Sequence, residues 1–178
     1  RHLRDEFSFT KKLSIPTPLI NVLNGGKHAP HSTDFQEWMI VPLRGETFGE
    51  ALECAARVFY KLRDIMQARG VSGVGDEGGF PINNVTTNRE ALVVLTQAVQ
   101  AAGLVVGKDI AFALDVAASE FYSDGVYTLG CEHTKLSSNE MISYLTDLVH
   151  DFPIVSIEDG LDENDWDSWK KLATHLGD

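Results

Sequence analysis

Four carboxylates and one histidine stand where they could do chemistry. Asp76 and Glu77 are framed by glycines in Val74-Gly75-Asp76-Glu77-Gly78-Gly79-Phe80. Glycines around an acid let the backbone turn tightly and hold the carboxyl at the mouth of a pocket, which is how a general acid is presented to a substrate. Asp115 and Glu158 each close an apolar run, in Ile110-Ala111-Phe112-Ala113-Leu114-Asp115 and Pro153-Ile154-Val155-Ser156-Ile157-Glu158-Asp159. Acids at the C-terminal ends of neighbouring strands converge on one rim. There they can chelate a hard cation through oxygen, the ligand atom that Mg²⁺ prefers. His28, in a Gly-flanked loop, suits a lid histidine that donates a proton or a hydrogen bond. Plainer roles exist for each: a solvated turn for Asp-Glu-Gly-Gly, a helix cap or ion pair for a strand-end acid, an exposed side chain for His28.

Three other patterns carry less. Gly73-Val74-Gly75-Asp76-Glu77-Gly78 fits G-x-G-x-x-G, but it follows a helical pattern rather than a strand and puts two carboxylates where a pyrophosphate would sit. His28 and His31 fit H-x₂-H without a Cys or further His at zinc-partner spacing. Asn84-Val85-Thr86 is a glycosylation sequon of a kind that arises often by chance.

Positioning the acids requires strands and helices in a particular order. Ile15 to Leu23 is apolar and β-branched but holds Pro16 and Pro18, which suits a first or edge strand closed by Asn24-Gly25-Gly26. Phe35 to Pro42 gives a second strand. Thr47-Phe48-Gly49-Glu50 is a capping box that opens a helix with the stripe Phe48, Leu52, Ala55, Phe59, Leu62 and Met66. Thr87-Asn88-Arg89-Glu90 repeats the box and opens a second helix that stops near Gly103. Then come a strand at Ile110 to Asp115, a hairpin turn at Ser123-Asp124-Gly125, a helix from Ser137 to Phe152, a strand at Ile154 to Glu158, and a helix from Asp165 to Leu176. The main order is β, β, α, α, β, α, β, α. It predicts a parallel α/β architecture with its site at the strands' C-terminal ends, about four strands of the eight in a closed (β/α)₈ barrel.

Composition narrows the partners. A formal charge of -11, from 26 acidic and 15 basic residues, opposes the basic footprint of nucleic-acid binding. It would also repel an anionic substrate unless divalent metal stood between. No apolar run approaches the roughly 18 residues of a membrane span, so the chain reads as soluble and globular. Cys54 and Cys131, far apart, suit two reduced thiols in a reducing compartment. Arg1-His2-Leu3-Arg4-Asp5-Glu6 lacks an initiator Met and no apolar stretch follows it, which reads as neither a signal peptide nor a natural terminus.

From about Ile15 onward the chain resembles the enolase family. Five stretches carry the likeness in order: Asn21-Val22-Leu23-Asn24-Gly25-Gly26-Lys27-His28-Ala29, Gln36-Glu37-Trp38-Met39-Ile40, Gly75-Asp76-Glu77-Gly78-Gly79-Phe80, Ala113-Leu114-Asp115-Val116-Ala117-Ala118-Ser119-Glu120-Phe121 and Pro153-Ile154-Val155-Ser156-Ile157-Glu158-Asp159-Gly160-Leu161. The resemblance implies a partial TIM-type barrel of enolase kind, ββαα and then βα units, over residues 15–178, with 1–14 an extension or linker remnant. It implies reversible Mg²⁺-dependent dehydration of 2-phosphoglycerate to phosphoenolpyruvate in glycolysis, in the cytoplasm, by a parent enzyme that is a homo-oligomer. By the same resemblance Asp115 and Glu158 are two of three carboxylate ligands of the Mg²⁺ (Glu158 also a substrate contact) and Glu77 is the proton donor to the departing hydroxyl. Glu37 is its partner acid, Gln36 a substrate-contacting amide and His28 the histidine of a closing loop. Crowding by other acids is expected to keep Glu77 protonated.

Departures from the family pattern are local. Trp38 stands where Phe is usual after Gln-Glu, and Phe80-Pro81-Ile82-Asn83 replaces the common Phe-Ala-Pro-Asn. The third metal carboxylate, the lysine base and the phosphate-gripping Ser-Arg segment belong to later strands of the family, so the chain by itself is expected to be inactive. Two alternatives stand beside the enzyme reading: a catalytically incomplete enolase-like domain acting as an interaction or structural protein, and another acid-sugar or amino-acid member of the wider superfamily.

Overall fold

A computed structural model of the chain describes residues 15–75 and 77–177. The expected extension over residues 1–14 and the side chain of Asp76 lie outside them. The main sheet is built from β1 (Ile20–Asn24), β2 (Glu37–Pro42), β3 (Phe80–Pro81), β4 (Ile110–Asp115) and β8 (Ile154–Glu158), in the order β3-β1-β2-β4-β8. A smaller sheet joins β5 (Tyr122–Ser123), β6 (Val126–Leu129) and β7 (Thr134–Leu136). The helices are α1 (Phe48–Ala68), α2 (Arg89–Ala101), α3 (Ser138–Asp151) and α4 (Trp166–Leu176). This is the expected ββαα-then-βα order, an open portion of a barrel. No described helix is long and apolar enough to cross a membrane.

The sheet is mixed rather than parallel throughout. β2 runs antiparallel to both β1 and β4, while β4 and β8 are parallel. β1 is first in the chain but not at the edge, because its last two residues also pair with β3, Leu23 with Phe80 and Asn24 with Pro81. It is also shorter than expected. Pro16 and Pro18 cannot donate to a ladder, and regular pairing starts only at Ile20. β4 is buried on both faces: Phe112 and Leu114 join the helix-side core, and Ala111 and Ala113 pack with Met39 and Val41 on the other.

The capping box of α1 forms as read, with the Glu50 N–H donating to Thr47 Oγ1 at 3.3 Å and the Thr47 N–H to Glu50 Oε2 at 3.1 Å. Its buried face is Cys54, Ala55, Val58, Leu62 and Met66, so the expected stripe holds at Ala55, Leu62 and Met66 and fails at Phe48 and Leu52, which are 43% and 49% exposed. The second box slips by one residue: Glu90 accepts from the Thr86 N–H and hydroxyl, at 2.9 and 2.8 Å, instead of from Thr87. Asp124 and Gly125, both left-handed, turn β5 into β6 as a two-residue hairpin loop.

Asn88 does not cap its own helix because its carboxamide is used elsewhere. Fully buried, it accepts from the Asp34 and Phe35 N–H groups at 2.8 and 3.3 Å and donates to Asp34 Oδ2 at 3.1 Å and Glu132 Oε1 at 3.3 Å. Asp34 in turn accepts from the Gly130 N–H at 2.7 Å, the Cys131 N–H at 3.3 Å and the Cys131 thiol at 2.8 Å. Glu132 accepts from the Asn88 N–H at 2.8 Å and the Tyr144 hydroxyl at 2.6 Å. Burial pushes the Cys131 thiol and the Tyr144 phenol upward, and the carboxylate beside each pushes further the same way. This hub anchors the segment that leads into β2. Asn88→Leu strips donor and acceptor from two carboxylates and two backbone N–H groups, so it is expected to destabilise the protein by about 3 kcal/mol. Urea unfolding measures it, and a loss under about 1 kcal/mol would mean the hub relaxes without Asn88.

Candidate active site

Because β2 is antiparallel to β4, its first residue lies at the same rim as the last residues of β4 and β8. The ladder sets Glu37 opposite Asp115 and Asp115 opposite Glu158, an acid on each of three adjacent strands. Neighbouring strands lie about 4.8 Å apart, so the three carboxylates share one small volume. The crowding shows in the protonation of Glu37 and Asp115. Burial, then the hydrogen bond and charge of Glu77, then the charges of Asp115 and Glu158 raise Glu37 from 4.5 to about 7. Burial and the neighbouring Glu158 charge also raise Asp115, against the partial relief of the Ala117 N–H, which donates to its Oδ1 at 3.1 Å. Gln36 lies over the same residue: its backbone N–H donates to the Asp115 carbonyl at 3.1 Å and its Nε2 to Oδ2 at 3.4 Å.

Two loops bring the remaining groups. Gly26 takes a left-handed turn, and a Cβ on Gly25 would fall 2.0 Å from Thr33 Oγ1, so only glycines let the Gly26–His28 turn fold back this closely. His28 then sits with Nδ1 3.4 Å from Glu77 Oε2 and 4.0 Å from Glu37 Oε1. Glu77 is at the tip of a loop closed by the Gly75 N–H on the Gly79 carbonyl at 2.8 Å and the Gly78 N–H on the Gly75 carbonyl at 2.9 Å. Its side chain is half exposed. Lys27 beside His28 forms an ion pair with Glu120.

The structure thus brings all six candidate residues to one rim: Gln36, Glu37, Glu77, Asp115, His28 and, next to Asp115, Glu158. His31 is not among them. Donor atoms of His28, Glu37 and Glu77 all lie within 4.8 Å of one another. That set mixes nitrogen with oxygen, unlike the all-oxygen shell of a Mg²⁺ site, and suits proton handling instead. Asp115 and Glu158 are the all-oxygen pair. Glu37 and Asp115 are the rim carboxyls that their surroundings drive upward. A cavity of about 510 Å³ beside Lys27, His31, Asp34 and Cys131 includes none of the rim acids.

Two residues that sequence reading passed over are Asn21 and Asn24. The Asn21 Nδ2 donates to Asn24 Oδ1 at 2.9 Å and to Glu77 Oε2 at 3.2 Å, and the Asn24 Nδ2 donates to the Gly79 carbonyl at 3.3 Å. Asparagines inside an otherwise apolar strand were the available signal, since a buried carboxamide needs partners. Trp38 also finds its reason. Stacked on Phe35 at 5.4 Å and fully buried, it donates its indole N–H to Thr33 Oγ1 at 3.0 Å, so the extra polar atom is satisfied.

Comparison with known proteins gives the family. Residues 12–178 match the family model described as the C-terminal TIM barrel domain of enolase. Enolases of Legionella pneumophila strains Corby, Paris and Philadelphia 1 are each 46% identical to the chain over 166 residues, 93% of the chain and 39% of the relative. The chain therefore spans about two fifths of the length of these relatives. On the family match and this identity, the chain belongs to the enolase family and carries sequence of its C-terminal TIM barrel domain.

Proposed function

We propose that this chain contributes part of the active site for the reversible, Mg²⁺-dependent dehydration of 2-phospho-D-glycerate to phosphoenolpyruvate, a lyase step of glycolysis. The observation that carries the reading is the row Glu37, Asp115 and Glu158 across three paired strands, with Glu77 and His28 brought to the same rim. Asp115 and Glu158 fit a hard cation. They are all-oxygen donors on neighbouring strands, and Asp115 is pushed up by burial and then by the Glu158 charge beside it. Bound there, Mg²⁺ would supply positive charge for the dianion that develops when a proton leaves carbon next to a carboxylate.

The chain's own side chains serve the other half of the reaction. Glu77 donates a proton to the C3 hydroxyl as it departs as water, while the electron pair left at C2 by proton removal forms the C2–C3 double bond. Glu37, hydrogen-bonded to Glu77 and itself raised to about 7, shares the proton and keeps the pair from carrying two full charges. His28 at 3.4 Å steadies the ionised Glu77, and Gln36 orients Asp115 and contacts substrate. The same reading places the parent enzyme in the cytoplasm as a homo-oligomer, with Cys54 and Cys131 as free thiols.

Mg²⁺ affinity tests the metal assignment. Asp115→Ala and Glu158→Ala each remove a ligand oxygen and a negative charge, so each is expected to weaken Mg²⁺ binding to a full-length enolase carrying this sequence by at least about tenfold. Calorimetric titration with unchanged affinity in both variants would falsify the metal role and favour the interaction-protein alternative.

A further inference from the structure

We propose that Asn21 and Asn24 are positioning residues that set the general acid Glu77, a role that rests on the dehydratase reading above. The device begins with a strand defect. Residues three apart on a regular strand point to opposite faces, yet the Asn21 and Asn24 carboxamides touch at 2.9 Å. A register shift between Asn21 and Leu23 against β2 resolves this. Val22 is an extra residue, and the parity of the strand changes across it so that both asparagines face the same way. Val22 and Leu23 are then both core residues, as a bulge allows.

Asn24 acts as a peg. It is 2% exposed, and the loop that carries Glu77 is wrapped around its carboxamide. A Cβ on Gly75 would lie 2.5 Å from Asn24 Nδ2, and one on Gly79 would lie 2.3 Å from Asn24 Oδ1. Neither glycine has a left-handed φ, whereas Gly78 does and has nothing within 4 Å. The three glycines of the motif therefore serve two purposes: Gly78 turns the chain, and Gly75 and Gly79 make room for the peg. Asn21 is the arm. Both of its amide hydrogens are committed, one to the peg and one to Glu77 Oε2, so the tip of the loop is tied to the strand by a single relay. Asn21 Oδ1 is buried without a partner among the described residues, a cost the site bears while the amide is held in this orientation.

A positioning role acts only through the group it positions, and a double-mutant cycle reads that dependence. In a full-length enolase carrying this sequence, Asn21→Ala is expected to lower kcat about tenfold with KM within about twofold of the parent. In a Glu77→Gln background the same change is expected to cost nothing further. Gly79→Ala, which drives a methyl into the peg, should behave like Asn21→Ala, and it gives a second route if Asn21→Ala fails to fold. Asn21→Ala at the parent rate, or a double variant slowed by the product of the two single effects, overturns the proposal while leaving Glu77 as the acid. Glu77→Gln at the parent rate overturns Glu77 as the acid and the positioning role with it.

Discussion

Glu77→Gln in a full-length enolase carrying this sequence is expected to lower kcat by at least about 100-fold with Mg²⁺ affinity nearly intact. General acid catalysis typically contributes about 10² to 10⁴-fold, and the amide keeps the shape of the carboxyl without a transferable proton. The separation from the metal ligands follows from topology. Glu77 hangs on a loop pegged to β1, whereas Asp115 and Glu158 end β4 and β8, so the substitution leaves both oxygens in place. Steady-state kinetics and calorimetry on the same preparation check both halves. An unchanged kcat removes Glu77 from the mechanism, and a matching loss of metal affinity would mean that Glu77 belongs to the cation's shell.

The 178-residue chain alone is expected to give no measurable phosphoenolpyruvate, even with saturating Mg²⁺. Among the described residues no lysine lies in the acid cluster. Lys27 is paired with Glu120, and Lys61 and Lys170 are exposed and paired with aspartates on their own helices. Two carboxylates from consecutive strands hold Mg²⁺ loosely, because the ion gives up its waters reluctantly. The outer edge of β8 is also unpaired among the described residues, and Val155 on it is 57% exposed, which favours self-association over a rigid site. A coupled assay on the purified chain decides. Metal-dependent turnover that vanishes on Glu77→Gln would show that the chain holds a base among its own residues.

Strand ends were legible because an apolar run stopped by an acid has one natural reading. β4 and β8 begin and end at the residues the sequence marks, Ile110 to Asp115 and Ile154 to Glu158. The capping box was legible at Thr47, and it was one residue out at Thr87, because Glu90 takes the N–H and hydroxyl of Thr86 instead. The stripe of α1 held at Ala55, Leu62 and Met66 and failed at its start, because Phe48 and Leu52 are apolar without being covered, and burial is a property of neighbours. Strand direction was legible for β4 and β8, which are parallel as expected, but not for β2. Only the antiparallel course of β2 explains why Glu37, at a strand's beginning, joins acids at two strands' ends. The Val22 bulge was equally hidden, since a local pattern of period two cannot announce an extra residue until a partner strand counts it.

The hub at Asn88 has a kinetic meaning. It joins Asp34 to residues 54, 96 and 97 positions away, so it is made of contacts that no single segment can form early. Long loops must close first, which places it among the later events of folding. Once formed, the Asp34, Phe35, Asn88, Gly130 and Cys131 amides all depend on the same few side chains. They are therefore expected to open and exchange with solvent as one cooperative unit, which couples the loop that presents His28 to the β6–β7 turn.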